Sequence, residues 1–292
     1  IEGIGAIICE GDVCSTEFMR QIFSEHRPQL LIHLCAFIIV GESVKEPLKY
    51  YRNNVDGFLT ILECMREFKC EQIIFSSTCT VFGDVKKLPI DEDNQYGPIN
   101  PYAETKQFCE QILKATAQAY GIRYVLFRYF NVSGGALDGS IGEDHQPESH
   151  LIPIVMQVAN NQREKVMILG NQYPTRDGTC IRDYIHVADI ALAHVLGAKY
   201  LQNGGKSDDF NLGTGRGYTV LEVVDSCRKI TGHPIPSVIA PAREGDAIEM
   251  CAASEKARRV LGWIPQHPEL DDIIATAWEW HRTHPHGYST QS

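Results

Sequence analysis

The chain has 292 residues, 43% of them hydrophobic and 22% charged, with a formal net charge of −10, which is enough for one large domain or two. The acidic balance argues against nonspecific binding to nucleic acid or to an anionic membrane. The longest apolar stretch, residues 30–40 interrupted by His33, is too short to span a bilayer.

The ten cysteines are scattered, with no Cys-x-x-Cys pair and no metal-type clustering with histidine. They read as small hydrophobes of a reducing compartment, Cys9, Cys35 and Cys79 lying inside apolar runs; no metal is expected. The chain begins with Ile and shows no signal-peptide pattern, so a cytoplasmic location is expected.

In chain order, Ala6 to Cys9 reads as a strand, and Ser15 caps a helix with Glu17 in its first turn. Leu30 to Ala36 is a second strand. Pro47 to Phe68 is a long helix with proline in its first turn. Gln72 to Ser76 is a third strand, Tyr102 to Tyr120 a helix opened by Pro101, and Arg123 to Tyr129 a fourth strand. Strands alternating with helices indicate parallel βαβ units. Residues 134–147 read as a loop, Leu151 to Asn160 as a helix and Val166 to Leu169 as a short strand. Asp183 to Leu201 opens on a His-containing segment and continues as a helix, and Asp271 to Thr283 is the last helix.

Two glycine clusters read as turns. Gly3-Ile-Gly5 has Ile8 where a dinucleotide fingerprint needs glycine, and no strand precedes it. Gly213-Thr-Gly-Arg-Gly217 lacks the lysine of a phosphate loop.

The chemistry concentrates in Tyr102-Ala-Glu-Thr-Lys106, preceded by Phe75-Ser-Ser-Thr-Cys-Thr-Val-Phe-Gly83. Positions i and i+4 share a helix face, so Tyr102 and Lys106 sit side by side. An adjacent ammonium favours the phenolate, making Tyr102 a proton acceptor near neutrality, and Thr78 supplies a hydroxyl to the same oxygen. The Gln72 strand ends in these hydroxyl residues, and open α/β sheets bind ligands at the carboxyl ends of their strands.

With these motifs the chain resembles the UDP-glucose 4-epimerases, extended short-chain dehydrogenases, along nearly its whole length. The resemblance rests on Glu10-Gly-Asp12-Val13, Val40-Gly-Glu-Ser-Val44, Tyr50-Tyr-Arg-Asn-Asn-Val55 and Arg128-Tyr-Phe-Asn131. It rests also on Asp177-Gly-Thr-Cys-Ile-Arg-Asp-Tyr-Ile-His-Val187, Arg243-Glu-Gly-Asp246, and Trp278-Glu-Trp280 through Pro285-His-Gly-Tyr288. It implies a Rossmann-like, doubly wound parallel α/β sheet over 1–131 and a smaller α/β UDP-sugar-binding domain over 132–292, with segments around 171–200 returning to the first. It implies NAD as cofactor, held by Asp12 and Val13 at the adenine, by Leu34, Cys35, Ala36, Phe37 and Ile38 on the nicotinamide side, and by Asn53 and Phe130.

UDP-glucose or UDP-galactose would meet Asn131 and the backbone of His150 and Leu151. Met167, Ile168 and Leu169 would contact the uracil, Arg182 and Arg243 the pyrophosphate, and Asp246 a ribose hydroxyl. Tyr102, aided by Thr78 and Lys106, would take the O4 proton while C4 is oxidised to a ketone. The sugar would turn over, and C4 would be reduced on its other face. A homodimer built on the helices Pro47 to Phe68 and Tyr102 to Tyr120 is implied.

Departures from the family pattern shape further expectations. No Gly-x-x-Gly-x-x-Gly turn is present, and roughly 30–50 residues of a full βαβ opening are expected to be missing. The strand at Ala6 and the strand at Leu30 would then stand two empty lanes apart, about 14 Å. NAD affinity would fall with the loss of that turn, leaving a non-catalytic UDP-sugar-binding fragment as an alternative. The resemblance puts Met250 where side-chain size gates N-acetylated sugars, and its flexible, intermediate side chain does not decide between substrates; a UDP-N-acetylhexosamine or UDP-pentose 4-epimerase is a second alternative. A 4,6-dehydratase needs an acid and a base after Thr78, where Cys79 and Thr80 stand instead.

Overall fold

The computed structural model describes residues 4–243 and 246–288. Its main sheet is parallel, in the order β1 (Leu31–His33), β2 (Gln72–Thr78), β3 (Arg123–Tyr129), β7 (Asp208–Leu212). Side chains alternate across a strand, and here both faces are covered. Ile73, Phe75, Tyr124 and Leu126 pack with α1 (Thr16–His26), α4 (Gly57–Phe68) and α5 (Pro101–Tyr120). Ile74, Val125, Phe127 and Phe210 pack on the other side with α7 (Val187–Gln202) and α9 (Glu255–Leu261). Burial on both faces is why these strands read as continuous apolar runs.

A second sheet joins β4 (Asn131–Ser133), β6 (Ile181–His186) and β10 (Glu249–Met250), with β8 (Gly217–Thr219) antiparallel to β6; β5 (Val166–Leu169) pairs β9 (Ser237–Ala240). A separate core of Ile152, Val155, Val223 and Ile273 binds α6 (Leu151–Ala159), α8 (Val220–Thr231) and α10 (Leu270–Thr283) together.

Several expectations need correction. Residues 6–9 form no strand: Ile7 and Ile8 are 74% and 60% exposed, because the segment has no ladder partner among the described residues. The expected strand at Leu30 to Ala36 shrinks to Leu31–His33, the only residues in register with β2. Pro47 to Phe68 is helical throughout but not uniform: α3 (Pro47–Tyr50) and α4 flank a π-helical stretch, Tyr51–Asp56. The His-containing segment opening at Asp183 is part of β6, and the helix expected to continue it is α7, which starts after His186, whose ring accepts from the Ala188 N–H at 3.0 Å. Cys9 and Cys35 are exposed, whereas Cys79 is buried.

Other readings hold. Ser15 caps α1, accepting from the Phe18 N–H at 3.3 Å. The 213–217 glycines form a turn around the carboxylate of Asp183, which accepts from the N–H groups of Thr214 and Gly215, both at 2.9 Å. A Cβ at Gly213 would stand 2.6 Å from that carboxylate. Gly3 and the pair Glu244 and Gly245 lie outside the described residues.

Candidate active site

The carboxyl end of β2 delivers Thr78 to the start of α5. Asn100 caps that helix, its Oδ1 accepting from the Ala103 N–H at 2.9 Å. Tyr102 is buried beside Thr78, whose hydroxyl acts to lower its phenol; burial outweighs this and pushes it up to about 12. Lys106 is also buried, its ammonium donating to the Ser76 carbonyl at 2.7 Å, and burial brings it down to about 8. Tyr102 and Thr78 are thus together, but the expected acidic phenol is not found in the chain by itself. The Lys106 charge is directed at a backbone carbonyl, and desolvation dominates.

A buried network fixes β2 against α5. Arg128 donates to both carboxylate oxygens of Glu110, at 3.1 and 2.8 Å, and to Asp209 at 2.7 Å. Ser77 donates to Glu110 at 2.5 Å. This pins helix and strand in the register that sets Tyr102 beside Thr78.

The segment after β1 borders the same turn of α5. Leu34 is 64% and Phe37 37% exposed, leaving apolar surface at the carboxyl edge of the sheet. Cys35 lies close enough to Lys106 to act on its charge. Asn54 holds the segment, accepting from the Phe37 N–H at 2.8 Å and donating to the Phe37 carbonyl at 3.1 Å and to Thr105 at 3.0 Å. Sequence reading assigned Asn53 and passed over Asn54, although both stand in one landmark. The π-helical turn is what aims Asn54 inward, and Asn53 donates to it at 3.0 Å.

Beyond Thr78 opens a cavity of about 110 Å³ that Cys79, Gly83, Asn131, Arg182, Asp246 and Met250 help to line. Arg182 approaches Asp246 at 3.7 Å, and Arg243 approaches it at 3.8 Å from a more exposed position. The site requires a glycine at 83: φ is +64°, and a Cβ would fall 1.8 Å from the Gly97 carbonyl oxygen. Phe130 is buried beside this cavity with Cys79 and Met250.

Other expected residues stand apart from it. Asp12 is exposed and accepts from the Cys14 N–H at 2.8 Å, and Val13 is half-buried against the core of α1 and α4. Ala36 and Ile38 are half-buried in the segment after β1. Met167 and Leu169 are at least partly exposed on β5 and Ile168 is buried, none of them lining the cavity. His150 is the N-cap position of α6, which Leu151 opens; its ring turns to Glu143.

The residues after Thr78 exclude one chemistry. Burial pushes the Cys79 thiol up to about 12, and Thr80 offers only a hydroxyl, so neither acts as the acid or base of a dehydration.

Residues 5–276 match the model of the family described as GDP-mannose 4,6 dehydratase. The UDP-glucose 4-epimerase of Halalkalibacterium halodurans is 50% identical over 282 residues, 97% of this chain and 84% of that protein. A crystal structure of a UDP-glucose 4-epimerase superposes with a TM-score of 0.94 at 49% identity, covering 98% of this chain and 87% of that one. The Bifidobacterium longum UDP-glucose 4-epimerase, solved with NAD+ and UDP, superposes at 0.93 with 39% identity and the same coverage. With the tyrosine, lysine and threonine set at the carboxyl end of a parallel sheet, and relatives of this identity along nearly its whole length, the chain belongs to the UDP-glucose 4-epimerase family.

Proposed function

We propose that this protein is an NAD-dependent UDP-sugar 4-epimerase that interconverts UDP-glucose and UDP-galactose through a 4-keto sugar. The observation that carries the reading is Tyr102 set beside Thr78, with Cys79, which follows Thr78, and Asn100, which caps the Tyr102 helix, lining a cavity whose wall also holds Asn131, Arg182 and Asp246. The apolar surface of Leu34 and Phe37, fixed by Asn54 next to the Tyr102–Lys106 turn, fits the nicotinamide half of the cofactor. When bound, NAD supplies hydride acceptance and return at C4, and a positive ring that favours the phenolate.

Tyr102 accepts the O4 proton and later returns it, with the Thr78 hydroxyl orienting its oxygen. Lys106 adds positive charge one helical turn away. Arg182 and Arg243 hold the pyrophosphate by charge-assisted bonds, so the sugar turns while the nucleotide stays anchored. Met250 closes the sugar side of the cavity. The nucleotide domain is read as 1–131, and the protein as a cytoplasmic homodimer, with the exposed Leu59 of α4 and Phe108 of α5 at the interface.

Tyr102→Phe is expected to lower turnover of UDP-galactose by roughly 10²–10⁴-fold while UDP affinity changes little. Coupled detection of UDP-glucose, with calorimetry of UDP, measures both; loss of UDP binding together with turnover would remove Tyr102 from the proton-transfer role.

A further inference from the structure

The loop between β4 and α6 carries Glu143-Asp-His145-Gln-Pro-Glu148-Ser-His150. One ligand atom from each of Glu143, His145, Glu148 and His150 lies within 4.8 Å of all the others. Nδ1 of His145 stands 3.2 Å from Glu143 Oε1 and 3.6 Å from Glu148 Oε2. Nδ1 of His150 stands 4.0 Å from Glu148 Oε1 and touches Glu143 Oε1. A tetrahedral zinc ion with bonds of about 2.0–2.2 Å sets its ligand atoms about 3.3–3.6 Å apart. The four groups therefore need only small side-chain adjustments to enclose one ion.

The two carboxylates are met by the imidazoles and, at Glu148, by the Ser149 and His150 N–H groups, both at 2.7 Å, with no fixed cation beside them among the described residues. The carboxylates of Glu143 and Glu148 are only 17% and 2% exposed, and neither pairs with a Lys or Arg among the described residues. The adjoining cavity, about 360 Å³, adds Asp144, His281, His284 and His286 to its wall and no Lys or Arg. The loop is already held in place. Tyr288 donates its N–H to Asp144 at 3.0 Å, and Gly142 packs so closely on Trp280 that a Cβ would fall 2.0 Å from the indole.

We infer that Glu143, His145, Glu148 and His150 form a binding site for a late first-row divalent cation, zinc above all. Two imidazoles and two carboxylates are the borderline donors such ions select, whereas magnesium and calcium prefer all-oxygen shells. The ion staples the loop to the first turn of α6. Only that placement near Leu151, an expected UDP-sugar contact, rests on the proposed function; the binding itself does not.

Equilibrium dialysis of the purified protein against Zn²⁺ tests this, with Co²⁺ absorption reporting ligand type. One equivalent of Zn²⁺ is expected, with a Co²⁺ spectrum of nitrogen and oxygen ligation and a raised melting midpoint. The double variant His145→Ala/His150→Ala should bind at least about a hundredfold more weakly. Glu143→Gln, a milder change, should lose about tenfold or more with an unchanged far-ultraviolet spectrum. Absence of saturable binding, or one equivalent retained at equal affinity in Glu143→Gln and the double variant, would overturn the assignment. A thiolate band in the Co²⁺ spectrum would also overturn it, moving the ion to the exposed Cys9, which lies 3.6 Å from His26.

Discussion

His33 is buried beneath the site, stacked on Phe75 at 5.4 Å with its Nδ1 unpartnered. Burial, reinforced by the charge of Lys106, lowers it to about 3 from an ordinary 6.5. Between those values the unfolded chain binds a proton that the folded chain refuses, so this residue makes stability rise with pH and costs stability as pH falls below 6.5. Urea unfolding at pH 6.5 and 5.0 should show a loss of up to about 1.4 kcal/mol per pH unit that His33→Leu largely removes. An unaltered slope in the variant would assign the acid sensitivity elsewhere. Glu143, held down to about 2 by its bonds to His145 and His150 against the effect of burial, acts in the same sense only below pH 4.5. At the nucleotide end, Arg182→Ala should weaken UDP binding by roughly 10- to 100-fold, since a charge-assisted bond contributes about 1.5–3 kcal/mol. Calorimetry that finds equal affinity would place the pyrophosphate elsewhere.

At the scale of elements, Arg128 and Glu110 join β3 to α5, and through Ser77 to β2. Removing one partner of a fully buried pair leaves the other charge uncompensated, so Arg128→Ala should destabilise the protein by about 3–5 kcal/mol in chemical denaturation. A loss below about 1 kcal/mol would contradict the stabilising role given to the pair. The elements legible in the sequence were those whose apolar pattern is satisfied by close packing. β3, at Arg123–Tyr129, and α5, with Pro101 at its start, match their expected bounds. The failures have a shared physical origin in pairing. Ile7 and Ile8 look like strand residues, but a strand exists only with a ladder partner. That Asp183 anchors the 213–217 turn was not legible, because its donors, the N–H groups of Thr214 and Gly215, are about thirty residues distant and invisible to local pattern. The π-helical turn, which decides where Asn54 points, has no local signature in the residues Tyr51–Asp56.

For the molecule as a whole, the chain passes from β3 in the main sheet to β4 in the second sheet across Phe130, and Asn131 at that junction lines the cavity beyond Thr78. The Tyr102–Lys106 spacing and the strand before it marked the candidate site from sequence alone, because helical periodicity is a local property. The ionisation of Tyr102 was not legible, since it depends on burial by distant residues and on the direction Lys106 takes. The pattern Glu143-x-His145-x-x-Glu148-x-His150 was likewise in view but unread, its meaning arising only when the loop folds back on α6. The central claim, proton transfer by Tyr102 in a UDP-sugar 4-epimerase, is tested most directly by supplying NAD and UDP-galactose to the wild-type protein and to Tyr102→Phe. The expected result is UDP-glucose formed by the wild type and at least about a hundredfold less by the variant, with UDP still bound. Turnover of the variant within tenfold of the wild type would contradict the account.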